Sequence, residues 1–271
     1  MASVDASHTM DGDQKLVGRD RMTEVAGCVR HGIFRGVGVG PGDPELITVK
    51  ACKVILLSPV IAYPELNGLA SFARRIVAEY VHRKHVEIVV QVPLRSEKEI
   101  ESAYEMAAQN ISCALRAGQD VAFLCEGDPL VYGTYIRLFE KLNTHFVCEI
   151  IPGISSILAV PARLGRPLVS GDMALSVIPA TLPDEALQRF FNRGASLAFV
   201  KVGRHAGRLK SLLDAHGLLG RAYYIERATL ENERQMRFEE FNLDEAPYFS
   251  FVVVDNRTEN AGYTGRTLET S

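Results

Sequence analysis

From residue 33 onward, short apolar runs alternate with stretches whose apolar residues recur at helical spacing, a pattern that predicts strands and helices in turn. Residues 33–39 interleave apolar side chains with glycine and read as the first strand. A short helix over 44–51 follows, then a buried strand over 54–57 stopped by Ser58 and Pro59. Phe72, Ile76, Val77 and Tyr80 give 71–80 a helical face, and 86–92 is a β-branched strand. Over 96–118, Ser96 as cap, Glu99 three residues later and Gly118 at the close mark a long helix. The pattern continues with a strand over 120–125, a helix over 131–142 and a strand over 146–151.

The second half repeats the alternation. A short helix containing Pro161 precedes strands over 174–178, 197–202 and 222–227, with helices over 183–192 and 207–216 between them. Residues 234–241 and 248–254 have no helix between them and read as an antiparallel pair. Strands alternating with helices imply a largely parallel sheet covered on both faces, hence an α/β fold. We expect a flexible leader over 1–30, an N-terminal α/β domain over 31–150, a C-terminal α/β domain over 151–256 and a tail over 257–271.

Composition narrows the class. At 271 residues with 47% hydrophobic content, the chain can build one large or two medium cores. A formal net charge of -3 gives no global basic field for nucleic acid or an acidic membrane. Five cysteines, an odd number without C-x-x-C spacing, fit free thiols in a reducing cytoplasm. No apolar run approaches the ~20 residues that span a bilayer, and the first thirty residues lack the apolar core of a signal peptide.

The chemistry lies in the loops. RGVGVGPGDPELIT, residues 35–48, has glycines spaced as in a dinucleotide fingerprint, but that motif needs a helix opening on its last glycine to present free amides to a pyrophosphate. Pro41 and Pro44 interrupt it, because proline offers no N–H and disfavours helix in the residue before it. The segment therefore reads as a rigid turn with close backbone, and Asp43 with Pro44 starts the next helix. In an open parallel sheet, ligands sit at the carboxyl ends of the strands. CEGDPLVYGTY, IPGISS, VKVGR and ERATLENE join the first loop at such ends, all rich in glycine, proline and small residues. Such loops suit a ligand with adenine, ribose and amino-acid parts better than a pyrophosphate.

In that order, GVGPGDP, GDPLVYG and PGISS resemble the motifs of the tetrapyrrole (corrin/porphyrin) methylases over nearly all of 32–256. Within that family, GVGVGPGDPELITVKA followed by SPVIAYP and SFARRI is most similar to members that methylate precorrin-2 at C-20; those acting on cobalt-factor II are similar too. The resemblance implies two α/β domains with S-adenosylmethionine folded in the cleft between them, a tetrapyrrole substrate, cobalamin biosynthesis and a cytoplasmic homodimer. It places Pro41, Glu126, Gly127, Asp128, Val131, Ser155, Ser156, Val202 and Ala228 beside the cofactor. Related methylases often carry a small residue where Glu126 stands and methionine where Val202 stands, so these two depart from the pattern.

Asp128 is the candidate acid or base, set against a role as helix cap before Pro129. Recognition of a polycarboxylate needs cations, and Arg35, Arg163, Arg166, Lys201 and Arg204 flank the ligand loops; each alone also suits an ordinary solvated surface. Tyr132 and Tyr135 suit either macrocycle stacking or core packing. His82 and His85 lack a third ligand nearby, so no metal is expected. Within the family a methylase acting at another corrin ring carbon stays open, and so do two other classes: a nucleotide-binding oxidoreductase using the glycine run, and a tetrapyrrole carrier without activity.

Overall fold

The computed structural model describes residues 30–93, 96–191, 194–242 and 246–256. The expected leader, apart from Arg30, and the expected tail lie outside the described residues. The first half forms β1 (Phe34–Gly38), α1 (Val49–Leu57), β2 (Val60–Leu66), α2 (Phe72–Ile76), β3 (Val86–Val92), α3 (Glu97–Arg116), β4 (Val121–Cys125), α4 (Tyr135–Leu142) and β5 (Cys148–Ile151). Its five strands pair in parallel in the order β3-β2-β4-β1-β5.

Strand periodicity divides the core. In β4, Val121, Phe123 and Cys125 face α3 and α4, where Tyr104, Ile111, Leu115 and Leu138 pack. Ala122 and Leu124 face the other way, onto Ala51 and Ile55 of α1 and Ala73 and Ile76 of α2. In α3, the Ser96 hydroxyl accepts from the Glu99 amide at 3.3 Å and donates to the Glu99 carboxylate at 2.7 Å, so the expected cap is in place.

The second half comprises α5 (Ser156–Leu164), β6 (Leu175–Pro179), α6 (Asp184–Phe191), β7 (Ser196–Val200), α7 (Ala206–Ala215), β8 (Ala222–Glu226), β9 (Arg234–Arg237) and β10 (Ser250–Val254). Its sheet runs β6-β7-β10-β8-β9, parallel between β6 and β7 and antiparallel elsewhere. One face carries α6, α7 and the aromatic group Tyr224, Phe238 and Phe241, with the first and last rings 4.0 Å apart. Val160 of α5 covers the other face, against Ala198, Val200, Ile225 and Phe251. Both sheets belong to one compact unit. No helix among the described residues is long and apolar enough to cross a membrane.

Several expectations change. The helix expected over 44–51 is a single 3-10 turn, Pro44–Leu46, with α1 starting only at Val49. The largely parallel sheet holds for the first half alone, since the second is antiparallel in all but its β6–β7 pairing. The run 54–57 ends α1 instead of forming a strand: Thr48 caps that helix by accepting from the Ala51 amide, and Ala51 and Ile55, four apart, are buried while Leu57 is 82% exposed. The strand comes after Pro59, as β2, whose Pro64 lies beyond the last residue paired with β4, Ala62, where a missing N–H breaks no ladder bond on that side. The helix expected over 131–142 begins only at Tyr135, because Tyr132 takes a positive φ of 56°. Finally, β9 and β10 do not pair with each other; they flank β8 on either side.

Candidate active site

The loops at the carboxyl ends of β1, β4 and β5 meet at backbone distance. A Cβ on Gly38 would lie 2.5 Å from the Gly153 nitrogen and 2.6 Å from the Gly127 oxygen, so only glycine lets the three segments close. Gly40, at φ 87°, exchanges backbone hydrogen bonds with Gly127, whose N–H reaches the Gly40 carbonyl at 2.8 Å. Pro41 emerges from this junction into a cleft. Beyond it, the Asp43 side chain accepts from the Glu45 amide at 2.8 Å, and its own amide donates to the Thr229 hydroxyl at 3.1 Å, tying the first half to the second.

The opposite wall comes from the ends of β7 and β8 and the segment leading into β10. Lys201 and Arg227 line the cleft at φ 55° and 50°, and Tyr132 faces them from the first half at 56°. Non-glycine residues in this left-handed region carry a cost of ~1–2 kcal/mol each, and such strain gathers at functional sites. Behind Arg227, buried Glu226 accepts from the Tyr224 hydroxyl at 2.6 Å and from the Arg227 guanidinium at 2.8 Å, fixing the start of the loop. Phe249 meets Phe72 across the cleft at 4.8 Å between ring centroids, and Tyr248 packs on Phe249.

The cleft, open to solvent at its mouth, is lined by Pro41, Glu126, Gly127, Asp128, Val131, Ser155, Ser156 and Ala228, eight of the nine residues placed beside the cofactor from sequence. Val202 is the exception. The left-handed turn at Lys201 reverses the alternation after β7, so Val202 points into the core with Leu209 and Phe199 and is fully buried. Ser155 caps α5 by accepting from the Ile157 amide at 3.4 Å.

Asp128 lines the cleft but is tethered. One carboxylate oxygen accepts from the Leu130 amide at 2.9 Å and the other from the Gly153 amide at 3.1 Å, which pins the β4 loop to the β5 loop. Each oxygen holds one backbone amide, so Asp128 acts as a loop tether between the β4 and β5 loops while facing the cleft. It is also not the cap of α4, which follows Thr134.

Glu126 stands differently. Glu126 is an exposed residue at the cleft surface, yet protein atoms crowd its carboxyl, and this partial desolvation pushes the group up to about 7, partly offset by the nearby Ala73 amide. Burial likewise raises the Tyr248 hydroxyl, followed by the charge of Glu126. The adjacent Cys125 thiol is pushed well up by burial, as befits a core cysteine.

Of the five expected substrate cations, Lys201 alone lines the cleft. Arg35 sits in the amino-terminal part of β1 and bridges Asp120 at 2.6 Å and Glu149 at 2.7 Å, away from the ligand loops. Arg163 pairs with Glu233 at 2.8 Å, and that carboxylate also accepts from the Thr229 amide, so this arginine steadies a cleft loop from behind. Arg166 lies over the Tyr223 ring at 4.1 Å, and Arg204 stands beside His205. Sequence reasoning missed Arg227, Phe72, Tyr248, Phe249 and Phe251 as cleft residues; the aromatic run YFSF at 248–251 was the available signal. His82 and His85 stack at 5.5 Å, and no group of three or more His, Cys, Asp or Glu among the described residues is placed to hold a metal.

A cleft between the carboxyl ends of two α/β sheets, floored by proline-broken glycine turns, defines an enzyme class that folds a small cofactor between two domains. The chain belongs to the tetrapyrrole (corrin/porphyrin) methylases, whose family model matches residues 34–244. It is 38% identical over 228 residues to the precorrin-2 C(20)-methyltransferase of Sinorhizobium sp, covering 81% of this chain and 93% of that one. With the cobalamin biosynthesis protein CobIJ of Mycobacterium tuberculosis it shares 37% identity over 244 residues, 87% of this chain; it spans about half, 48%, of that relative's length. The cobalt-precorrin-2 C(20)-methyltransferase of Salmonella typhimurium is 31% identical over 235 residues, 85% of this chain and 99% of that one. A solved uroporphyrin-III C-methyl transferase from Thermus thermophilus, complexed with S-adenyl homocysteine, matches with a TM-score of 0.61 at 25% identity, covering 83% of this chain and 98% of that chain.

Proposed function

We propose that this chain transfers a methyl group from S-adenosylmethionine to C-20 of precorrin-2, giving precorrin-3A in cobalamin biosynthesis. The observation that carries the reading is the convergence of Pro41, the Glu126–Asp128 loop, Ser155, Ser156 and Ala228 on one cleft. The residues present fit such a cofactor: backbone groups at Gly127, Ser155 and Ala228 suit its polar edges, and Val131, Ile157, Val160 and Ile225 suit its apolar faces. A pyrophosphate fits less well, because the amide at the start of α5 is engaged by the Ser155 cap and the glycine run is broken by Pro41. Bound there, S-adenosylmethionine supplies an electrophilic methyl group on a sulfonium.

Methyl transfer from sulfur to carbon is an in-line displacement, so the chain's main task is to hold the two reactants aligned and exclude water. The rigid floor of Gly38, Gly127 and Gly153 provides the fixed reference for that alignment. Lys201 and Arg227 are the cations placed to meet substrate carboxylates, while Tyr132, Phe72, Tyr248 and Phe249 offer faces for the macrocycle. Assignment of domains to 31–150 and 151–256, a homodimer and a cytoplasmic location belong to the same reading, supported by the two separate sheets and by the family.

Incubating the purified protein with S-adenosylmethionine and either metal-free or cobalt-loaded precorrin-2 tests it. Methylation of the metal-free ring at the higher rate is expected; a strong preference for the cobalt form assigns the chain to the cobalt pathway. Tight binding of NADPH with none of S-adenosylhomocysteine in calorimetry removes the methylase reading altogether.

A further inference from the structure

Methylation at a meso carbon leaves a proton to be disposed of, and the cleft holds few groups able to take it. Lys201 and Arg227 are cations, with Arg227 bound to Glu226. Glu226 is buried behind the wall and accepts from Tyr224 and Arg227. Asp128 is occupied on both oxygens by backbone amides. Tyr248 is held protonated by burial and by the neighbouring charge.

Glu126 remains. It follows directly on β4, lines the cleft, and shares it with the aromatic side chains Phe72, Tyr248 and Phe249. No Lys or Arg among the described residues forms an ion pair with it. On α2, the element that carries the nearby Ala73 amide, Arg74 is paired with Glu87 at 2.7 Å and Arg75 lies over the Phe72 ring. The charged and titratable groups around it are thus Cys125 and Asp128 on its own segment, Tyr132 beyond them, Tyr248 before β10, Lys201 and Arg227 across the cleft, and these two arginines of α2.

We propose that Glu126 is the proton acceptor of the methyl transfer, taking the hydrogen that the substrate carbon loses once the methyl group is on it. The inference rests on the methylase reading above and deepens it. A π pair of the conjugated ring forms the new C–C bond at C-20, and the breaking S–C bond leaves its pair on sulfur, giving the neutral thioether S-adenosylhomocysteine. C-20 then carries both hydrogen and methyl, and the ring system bears the positive charge. Transfer of that proton to the Glu126 carboxylate returns the C–H pair to the conjugated system. The carboxylic acid passes its proton to water at the cleft mouth.

A carboxyl raised to about 7 is well matched to this task, since a base works best with a pKa near the operating pH. The sign follows directly: the carboxylate is the active form, so turnover falls as pH drops through that value. A structural role is separable from a chemical one, because glutamine keeps the size of the side chain and one acceptor oxygen but takes up no proton.

The test compares wild type, Glu126→Gln and Glu126→Asp, using S-adenosylhomocysteine affinity by calorimetry, methyl transfer to precorrin-2 across pH, and carboxyl titration by difference infrared spectroscopy without cofactor. At saturating S-adenosylmethionine, with its S-adenosylhomocysteine affinity measured alongside, Glu126→Gln is expected to lose about 10²–10⁴-fold in kcat, within the usual span of acid–base catalysis, and to lose the acid limb of the pH profile. Glu126→Asp is expected to keep that limb at reduced rate, and the infrared difference is expected to show a carboxyl titrating near 7 in wild type that is missing from Glu126→Gln. Wild-type turnover or an unchanged acid limb in Glu126→Gln overturns the proposal, as does infrared titration of Glu126 in the ordinary carboxylate range. A wild-type protein that binds S-adenosylhomocysteine but methylates no form of precorrin-2 overturns the underlying reading as well, an outcome recognisable before any variant is made.

Discussion

The two walls of the cleft are built on opposite terms. The first sheet is parallel throughout and floors the cleft with backbone: Gly38, Gly127 and Gly153 touch at distances that admit no Cβ, Asp128 locks the result, and Phe72, Glu126 and Tyr132 add side chains above that floor. The second sheet is mixed and meets the cleft with side chains: Lys201, Arg227, Tyr248 and Phe249, two of them on strained backbone. A floor made of main chain cannot drift when side chains change, which suits a cofactor common to a family. A wall made of side chains can be altered residue by residue, which suits substrates that differ.

The sharpest way to break this comparison is to add a methyl group to the floor. Gly153→Ala places a Cβ 2.1 Å from the Gly127 oxygen, a backbone atom with no room to yield. We expect a loss of about 3 kcal/mol in urea unfolding, the upper part of the usual overpacking range, together with loss of S-adenosylhomocysteine binding. Asp128→Ala comes next, since it leaves the Leu130 and Gly153 amides without their acceptor; about 1–3 kcal/mol is expected. Its effect on catalysis should appear as a raised KM for S-adenosylmethionine more than a lowered kcat.

Glu126 gives an effect of opposite sign. Its folded-state pKa is raised, so ionisation opposes folding: the penalty is absent below the ordinary glutamate value of 4.5 and complete above about 7. Glu126→Gln should therefore match wild type in thermal stability at pH 4 and exceed it at pH 8.

Smaller effects sharpen the division of labour. Arg35→Met should lower stability by about 1 kcal/mol, the scale of a partly exposed ion pair, and leave both KM values unchanged, because its partners Asp120 and Glu149 lie away from the ligand loops. Lys201→Gly relieves a left-handed residue, so stability should hold or rise by up to ~1 kcal/mol, while the KM for the tetrapyrrole rises. A fall in stability with unchanged substrate KM would show that Lys201 belongs to the frame and not to the recognition wall.

Much of the frame was legible in sequence because local signals agreed with the tertiary ones. The Ser96–Glu99 capping box marked α3, and β-branched residues marked β3. Residues 54–57 were misread because four consecutive apolar residues carry no period; the Thr48 cap and the 51–55 spacing decide them only with the sheet in view. Val202 escaped because a left-handed lysine has no signature in sequence, and one such residue is enough to reverse which side chains face the cleft. The arginines failed for a third reason: Arg35 finds its partners 85 and 114 residues away, beyond any local pattern. Asp128 and Glu126 show the same limit at close range. Two residues apart in one motif, an aspartate and a glutamate, they diverge through what the fold brings to their oxygens.

A single-turnover reaction with S-adenosylmethionine carrying a ¹³C-labelled methyl group and metal-free precorrin-2, read by ¹³C NMR, tests the central claim most directly. One enriched methyl resonance is expected, on C-20, with S-adenosylhomocysteine formed in equal amount. Label at another ring position, or none on the ring while the cofactor stays intact, contradicts it.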